Sequence, residues 1–337
     1  MAISTTMRIR VIASLLFSFT LLCGFSRCSR KDVSTAKSDA PSNEAEAGVA
    51  MQKFVSQISK FAKSQKPGFN IIPQNGSVLA YTNLNPKQGK NYEYIQSVDG
   101  FGVEELFYTE DGSIDSARVA LLDALKNDRK ILVSEFIPDS EKINRVAEQN
   151  LDAGFVPFIR MKSNYSYSHI PERIRNQNQD DVTQMDQVRN YLYLINPKEF
   201  ENKEAYLKAL SETNFDLLII DLFYDMQQLT KTDLELLKTK SDGGKRLVIC
   251  YLNIGSAEKW RYYWNKSWKV GKPSWIKKNY AGYEGEYYVE FWDAEWKGIV
   301  FRGSDSYLRK IINAGFDGAY LDNTEAYHYL FHDQEEN

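Results

Sequence analysis

The chain has 337 residues, of which 43% are hydrophobic and 26% charged, with a formal net charge of -3. This is the composition of a globular protein, and its near balance of charge excludes a general attraction to nucleic acid or to anionic membranes. Three Cys and three His argue against a disulfide framework, a Ser-His-Asp apparatus or a clustered zinc site. No cofactor and no metal is expected, which leaves carboxylates, amides and aromatics to carry any chemistry.

Residues 1–28 read as a targeting segment: Arg8 and Arg10 precede an apolar run over residues 11–25, too short to span a bilayer. Cys28 is a candidate lipidation site, although Arg27 before it is a poor match to the usual small residue; ordinary cleavage is the alternative. Export to the cell envelope or beyond is therefore expected. Residues 29–48 are small and polar, the composition of a disordered tether, and residues 49–332 form one domain.

Within that domain helical and strand patterns alternate. Met51, Phe54, Val55, Ile58, Phe61 and Ala62 keep helical spacing, followed by a short strand at residues 69–72 and a second at 103–108. A helix over residues 117–125 leads to a strand at 130–136. Asp139 or Ser140 then caps a helix bearing Ile143, Val146, Ala147 and Leu151, and a strand follows at 155–159. Residues 162–190 are polar and without periodicity, as in a loop or linker.

Beyond them come strand 191–195, helix 198–210, strand 217–221, helix 232–238 and strand 247–253. Gly255 marks a tight turn, after which Glu258 is expected in the first turn of a helix, where the helix dipole favours a carboxylate in any case. Trp260 and Trp264, four apart, would share a face of that helix. A further strand is expected at 287–292. Ser304 or Asp305 caps a helix with Tyr307, Leu308, Ile311 and Ile312; Gly315 stops it, and residues 318–322 form the last strand.

Alternating strands and helices with short links predict a parallel sheet covered by helices, a (β/α)8 TIM barrel. Nine strands are one more than such a barrel needs. Its site lies at the C-terminal ends of the strands, a rule that nominates Asn75, Glu104 or Glu105, Glu135, Asp221, Asn253, Asp293, Asp322 and Asn323. Glu104 and Glu105 are adjacent and face opposite sides of an extended strand, so position alone does not choose between them. Asp322 and Asp221 serve equally well as structural acids bonding neighbouring loops.

All six Trp fall between residues 260 and 296, interleaved with Tyr. Such rings stack on the C–H faces of sugars, although most large aromatics belong to the core. Lys and Arg among them are balanced by Glu258, Glu284, Glu286, Glu290, Asp293 and Glu295, which argues against a nucleic-acid partner.

Several of these runs resemble glycoside hydrolase family 114, the endo-α-1,4-polygalactosaminidase-like barrels, together with relatives labelled cysteinyl-tRNA-synthetase-related extracellular proteins. The resemblance rests on Ile220-Asp221, on Cys250-Tyr251 with Gly255, Glu258 and Arg261, on Phe291-Trp292-Asp293, and on Gly315-Phe-Asp-Gly318 followed by Asp322-Asn323. Motifs of the family's second half come first in this chain: Gln74-Asn75, then Glu104 within residues 99–108, then Glu135-Phe136.

That order is the one a circular permutant would show, with the usual start near Tyr191, the usual end near Arg160, and residues 162–190 linking the old ends. The resemblance implies Asp322 and Glu104 as the catalytic carboxylates, taken as nucleophile and acid/base respectively, and so prefers Glu104 to Glu105. It further implies that Asp221, Tyr251, Glu258, Asp293, Asn323, Asn75 and Trp292 surround the sugar. Thr324-Glu325 and Glu105-Leu106 depart from the polygalactosaminidase pattern.

The function expected is hydrolysis of a polysaccharide, such as the amino-sugar polymer α-1,4-galactosaminogalactan. The alternative is a non-catalytic barrel that binds envelope polysaccharide. Nucleotide or tRNA chemistry finds no phosphate-binding glycine loop.

Overall fold

The computed structural model describes residues 40–162 and 166–332. The expected targeting segment, Cys28 included, and residues 29–39 of the tether lie outside the described residues. Helix α1 (Glu44–Gln65) begins inside the stretch expected to be tether. Asn43 caps it by accepting from the Glu46 amide at 3.0 Å, and Glu44 and Glu46 complement the dipole of its first turn. Met51, Phe54, Val55, Ile58 and Ala62 are buried on one face. Burial of each large side chain contributes about 1.5–3 kcal/mol, so packing rather than propensity holds this helix.

Eight parallel strands follow: β1 (Asn70–Pro73), β2 (Gly100–Glu104), β3 (Lys130–Phe136), β4 (Val156–Arg160), β5 (Tyr191–Leu194), β6 (Leu217–Ile220), β7 (Leu247–Asn253) and β8 (Gly318–Asp322). Helices α2 (Tyr92–Ser97), α3 (Ser116–Leu125), α4 (Ile143–Asp152), α5 (Lys203–Ser211), α6 (Lys231–Leu237) and α7 (Tyr307–Ala314) alternate with them. The strands form two sheets, in the orders β1-β8-β7-β6-β5 and β2-β3-β4. A parallel bridge between Gln74 and Gly102 joins β1 to β2, and the Asn75 amide donates to the Gly102 carbonyl at 2.8 Å. Among the described residues no ladder joins β4 to β5. Side chains meet there instead, with the rings of Phe158 and Tyr191 5.5 Å apart. The fold is mixed α/β with a mainly parallel sheet, in a TIM-barrel-like arrangement.

The interior is filled largely by tyrosines. Tyr193 lies 5.2 Å from Tyr320 and 4.0 Å from Tyr167, ring centre to ring centre. Tyr320 explains Gly102: a Cβ there would come within 2.0 Å of the Tyr320 hydroxyl oxygen. At the end of α7, Gly315 takes φ 105°, a left-handed cap that suits glycine.

Four expectations are corrected. The second strand runs over Gly100–Glu104 rather than 103–108, because Glu105 turns to φ 52° and ends it. The surplus strand is the one expected at 287–292: Glu286–Val289 pairs antiparallel with Ser256–Glu258 and with Ile276–Asn279, outside the parallel set. Glu258 therefore sits on a strand and not in a helical turn. Neither Trp260 nor Trp264 lies on a helix: Trp260, in a turn, is 48% exposed, whereas Trp264, in irregular backbone, stacks on Tyr287 at 5.2 Å.

The aperiodic segment between β4 and β5 is pinned at both ends of the strands. At the C-terminal end, the Tyr167 carbonyl accepts from the Ile195 and Asn196 amides. At the N-terminal end, the wholly buried Lys240 donates to the Asn178 and Asp180 carbonyls and pairs with Asp216 at 2.7 Å. A parallel connection must run the length of the sheet between successive strands. Here irregular backbone does so where other connections use a helix, and Lys240 satisfies its buried carbonyls.

Candidate active site

Two carboxylates end strands on either side of β1. Asp322 closes β8 and Glu104 closes β2. Their strands are two positions apart, about 10 Å between backbones, and both side chains turn toward the same tyrosine-lined centre. Asp322 accepts the Tyr251 hydroxyl on Oδ2 at 2.5 Å and the Asn323 amide on Oδ1 at 2.7 Å. Glu104 Oε2 accepts from Gln74 Nε2 at 2.5 Å and Asn75 Nδ2 at 3.4 Å; its Oε1 accepts the Tyr167 hydroxyl. Asn75 also accepts the Glu104 amide on Oδ1 at 3.2 Å, from a left-handed conformation at φ 57°. Gln74 accepts the Tyr193 hydroxyl at 2.9 Å, so Tyr193 stands between the two acids.

Burial and then the charge of Glu104 push the Asp322 carboxyl up to about 7. The second acid with this property is Glu286, on the antiparallel insert. Burial and then the charge of Glu258 push it up to about 8. Glu286 accepts from Asn253 at 2.9 Å, from Asn323 at 3.1 Å and from the Ser256 hydroxyl. It thereby fixes Asn323, the residue following Asp322.

Beside this cluster, Arg261 pairs with Asp221 at 2.7 Å and with both oxygens of Glu258 at 2.7 and 3.2 Å. Its ring contacts are Tyr251 and Tyr307, at 5.9 and 5.6 Å. Asp221 and Glu258 are buried, so the guanidinium balances two desolvated charges. Tyr251 connects this ion cluster to Asp322.

The structure brings Asp322, Glu104, Tyr251, Asn323 and Asn75 together, with Asp221 and Glu258 adjoining through Arg261. Asp293 is placed elsewhere in function: it caps the short helix Ala294–Lys297, accepting the Glu295 amide at 2.7 Å. Trp292 is half-buried with its ring edge-on to Phe291 at 4.8 Å. Glu135, also nominated by position, is buried and clamps the turn after β2 by accepting the Leu106 and Phe107 amides at 3.0 and 2.8 Å. Asn253 likewise braces Glu286. Gln74, Tyr167, Tyr193 and Glu286 are not among the site residues expected from sequence. The strand-end rule that nominates Asn75 covers its neighbour Gln74 equally; nothing in the local pattern marks the other three.

Acids, amides and tyrosines thus gather at the C-terminal ends of the parallel strands, where sites lie in TIM-barrel-like folds. The model of the glycoside-hydrolase family GH114 matches residues 173–337, just under half of the chain. Over those residues the chain is similar to family GH114. An uncharacterized protein of Methanocaldococcus jannaschii is 34% identical over 152 residues, 45% of this chain and 42% of that relative. An uncharacterized protein of Thermotoga maritima is 36% identical over 120 residues, 36% of each chain. One of Deinococcus radiodurans is 34% identical over 124 residues, 37% of this chain and 38% of that protein. The chain thus spans about two fifths of the length of these relatives.

Proposed function

We propose that this protein is an exported glycoside hydrolase that cleaves a polysaccharide with Asp322 and Glu104. The observation that carries the reading is the pairing itself: two carboxylates flank β1 in one tyrosine-lined site, one of them held protonated near neutral pH. Asp322, at about 7, is the general acid. It passes its proton to the glycosidic oxygen as the bond to C1 breaks. Glu104, with amide donors on one oxygen and a phenol on the other, is the anionic partner. It attacks C1 or takes a proton from the attacking water, so that one water is added across the bond. This reverses the order of roles expected from sequence. The proton remains available because burial and a like charge disfavour its loss.

The domain reads best as a closed (β/α)8 barrel in permuted order. The family match begins at residue 173, after β4, and runs to the end of the chain, as it should if the family's own start lies in the segment between β4 and β5. Glu44 at the head of α1 touches His328 and His332 at 2.7 and 2.8 Å, so the two ends of the described domain meet where a β8-to-β1 connection would be cut. Permutation leaves a fold intact when old and new termini are each adjacent and exposed. The apolar run over residues 11–25 behind Arg8 and Arg10 supports export, with lipid at Cys28 or ordinary cleavage.

The test is a polysaccharide screen with the purified chain, beginning with amino-sugar polymers such as α-1,4-galactosaminogalactan. Release of reducing ends that is lost in both Asp322→Asn and Glu104→Gln supports the assignment. The hydrogen bond from Tyr167 to Glu104 favours a second reading, a polysaccharide-binding barrel without turnover. Retained sugar binding with no reducing ends from any polymer would establish that instead.

A further inference from the structure

His328 and His332 are one helical turn apart, the His332 amide donating to the His328 carbonyl at 3.1 Å. Their rings lie 4.6 Å apart at 27°. Both face the carboxylate of Glu44, His328 Nδ1 at 2.7 Å from Oε1 and His332 Nε2 at 2.8 Å from Oε2. One ligand atom from each residue falls within 4.8 Å of the others. The three side chains are 40–51% exposed.

We propose that Glu44, His328 and His332 bind one divalent transition-metal ion of the zinc type, which clasps the first helix of the domain to its last turn. Two imidazoles and a carboxylate suit Zn2+, Co2+ or Ni2+ rather than Ca2+ or Mg2+, which take oxygen ligands. Ligand atoms on a tetrahedral zinc stand about 3.3 Å apart, given metal–ligand distances near 2.1 Å. The direct N···O contacts therefore open by about half an ångström, within reach of half-exposed side chains, and water takes the fourth position. No metal spacing is expected from the sequence, but His328 and His332, four apart, stand one turn from each other, the His332 amide bonding the His328 carbonyl. Their carboxylate partner lies 284 positions earlier in the chain, so only the fold assembles the set. The location gives the ion a role, since it would close the gap left where the barrel's β8-to-β1 connection is cut. The site is separate from Asp322 and Glu104 and does not depend on their being catalytic.

The experiment uses the full chain, stripped with chelator and titrated with Zn2+ by calorimetry and with Co2+ by absorption. One ion per chain is expected, with the intense visible bands of low-coordinate Co2+ and a Tm that rises with Zn2+ concentration. His332→Ala and Glu44→Gln, both at half-exposed positions, should each weaken Zn2+ affinity at least tenfold and abolish the metal-dependent rise in Tm. Absence of stoichiometric Zn2+ binding would overturn the proposal. So would binding that survives His332→Ala unchanged, because the ion would then sit elsewhere. A lower Tm in both variants with no response of the wild type to metal would reduce the cluster to a histidine–carboxylate pair.

Discussion

The Tyr167 hydroxyl donates to Glu104 in the tyrosine-lined interior, from a segment 63 residues further along the chain. Tyr167 is buried against Tyr193 and faces the Arg160 guanidinium at 4.3 Å. A hydrogen bond to a charged group contributes about 1.5–3 kcal/mol. Tyr167→Phe keeps the ring and removes only this bond. We expect the variant to fold and its kcat/KM to fall about tenfold, that is about 1.4 kcal/mol, on whichever polymer the wild type cleaves. An increase in kcat/KM would instead identify the phenol as an obstacle that substrate must displace.

Asp322 gives a pH dependence of known sign. Its carboxyl sits at about 7 in the folded chain, against about 3.9 when unfolded. Between those values the folded state holds a proton that the unfolded state has released. The group's stabilising contribution is therefore complete below about pH 4 and is lost as pH rises through about 7. Asp322→Asn removes this loss, so its stability relative to wild type should grow between pH 4 and pH 8. Urea denaturation at pH 5 and pH 8 measures it, and an equal difference at both would contradict the raised value.

On the proposed mechanism the same group sets the alkaline limb of activity. Hydrolysis should decline as pH rises above about 7 while the general acid is lost. Asp322→Asn should lower kcat by about 10²–10⁴-fold at every pH. An alkaline limb unchanged in Glu104→Asp but displaced in Tyr251→Phe would tie it to Asp322, since Tyr251 donates to that carboxylate.

Arg261 neutralises Asp221 and Glu258 in a site that water hardly reaches. Removing one partner of a buried ion cluster costs about 3–5 kcal/mol, because the charges left behind remain desolvated. Arg261→Met should show that loss in denaturant, and adding Asp221→Asn and Glu258→Gln should recover part of it. A loss below 1 kcal/mol would mean that solvent reaches the cluster.

The proposal of a permuted order makes a prediction about connectivity. A chain that begins at Ser166, runs to His332, re-enters at Ala40 through a short flexible linker and ends at Lys162 should fold to the same structure. Its circular dichroism and its response to Asp322→Asn should match those of the natural order. Failure to fold would show that the present connection between β4 and β5 is required and not a replaceable link.

Several parts of this architecture were legible as residue patterns. The limits of β3, β7 and β8 follow from apolar runs bounded by charged or turn residues, since a strand buried on both faces needs a continuous apolar stretch. α1 follows from its 3.6-residue spacing, and Gly315 marks the end of α7 through its left-handed cap. The misreadings lie where local pattern is ambiguous. The run ending at Trp292 looks like a barrel strand, but Ser256–Glu258 and Ile276–Asn279 claim it as an antiparallel partner. Glu258 looks like a helix-start carboxylate because Gly255 precedes it. A tight glycine turn leads into a strand as readily as into a helix.

What the sequence by itself determined is the alternation of elements and the position of acids and amides at strand ends, because both depend on neighbours within a few residues. It placed Asp322 at the end of its strand and left Glu104 or Glu105 open by position, since the second strand was expected at 103–108 and ends at Glu104. What only the tertiary structure decided is which groups share a charge environment. Glu104 raises Asp322 from 218 positions away, Tyr167 reaches Glu104 from an aperiodic segment, and Glu44 meets His328 and His332 across almost the whole domain. Electrostatic and hydrogen-bond energies depend on distance in space and on burial, and neither is a function of distance along the chain.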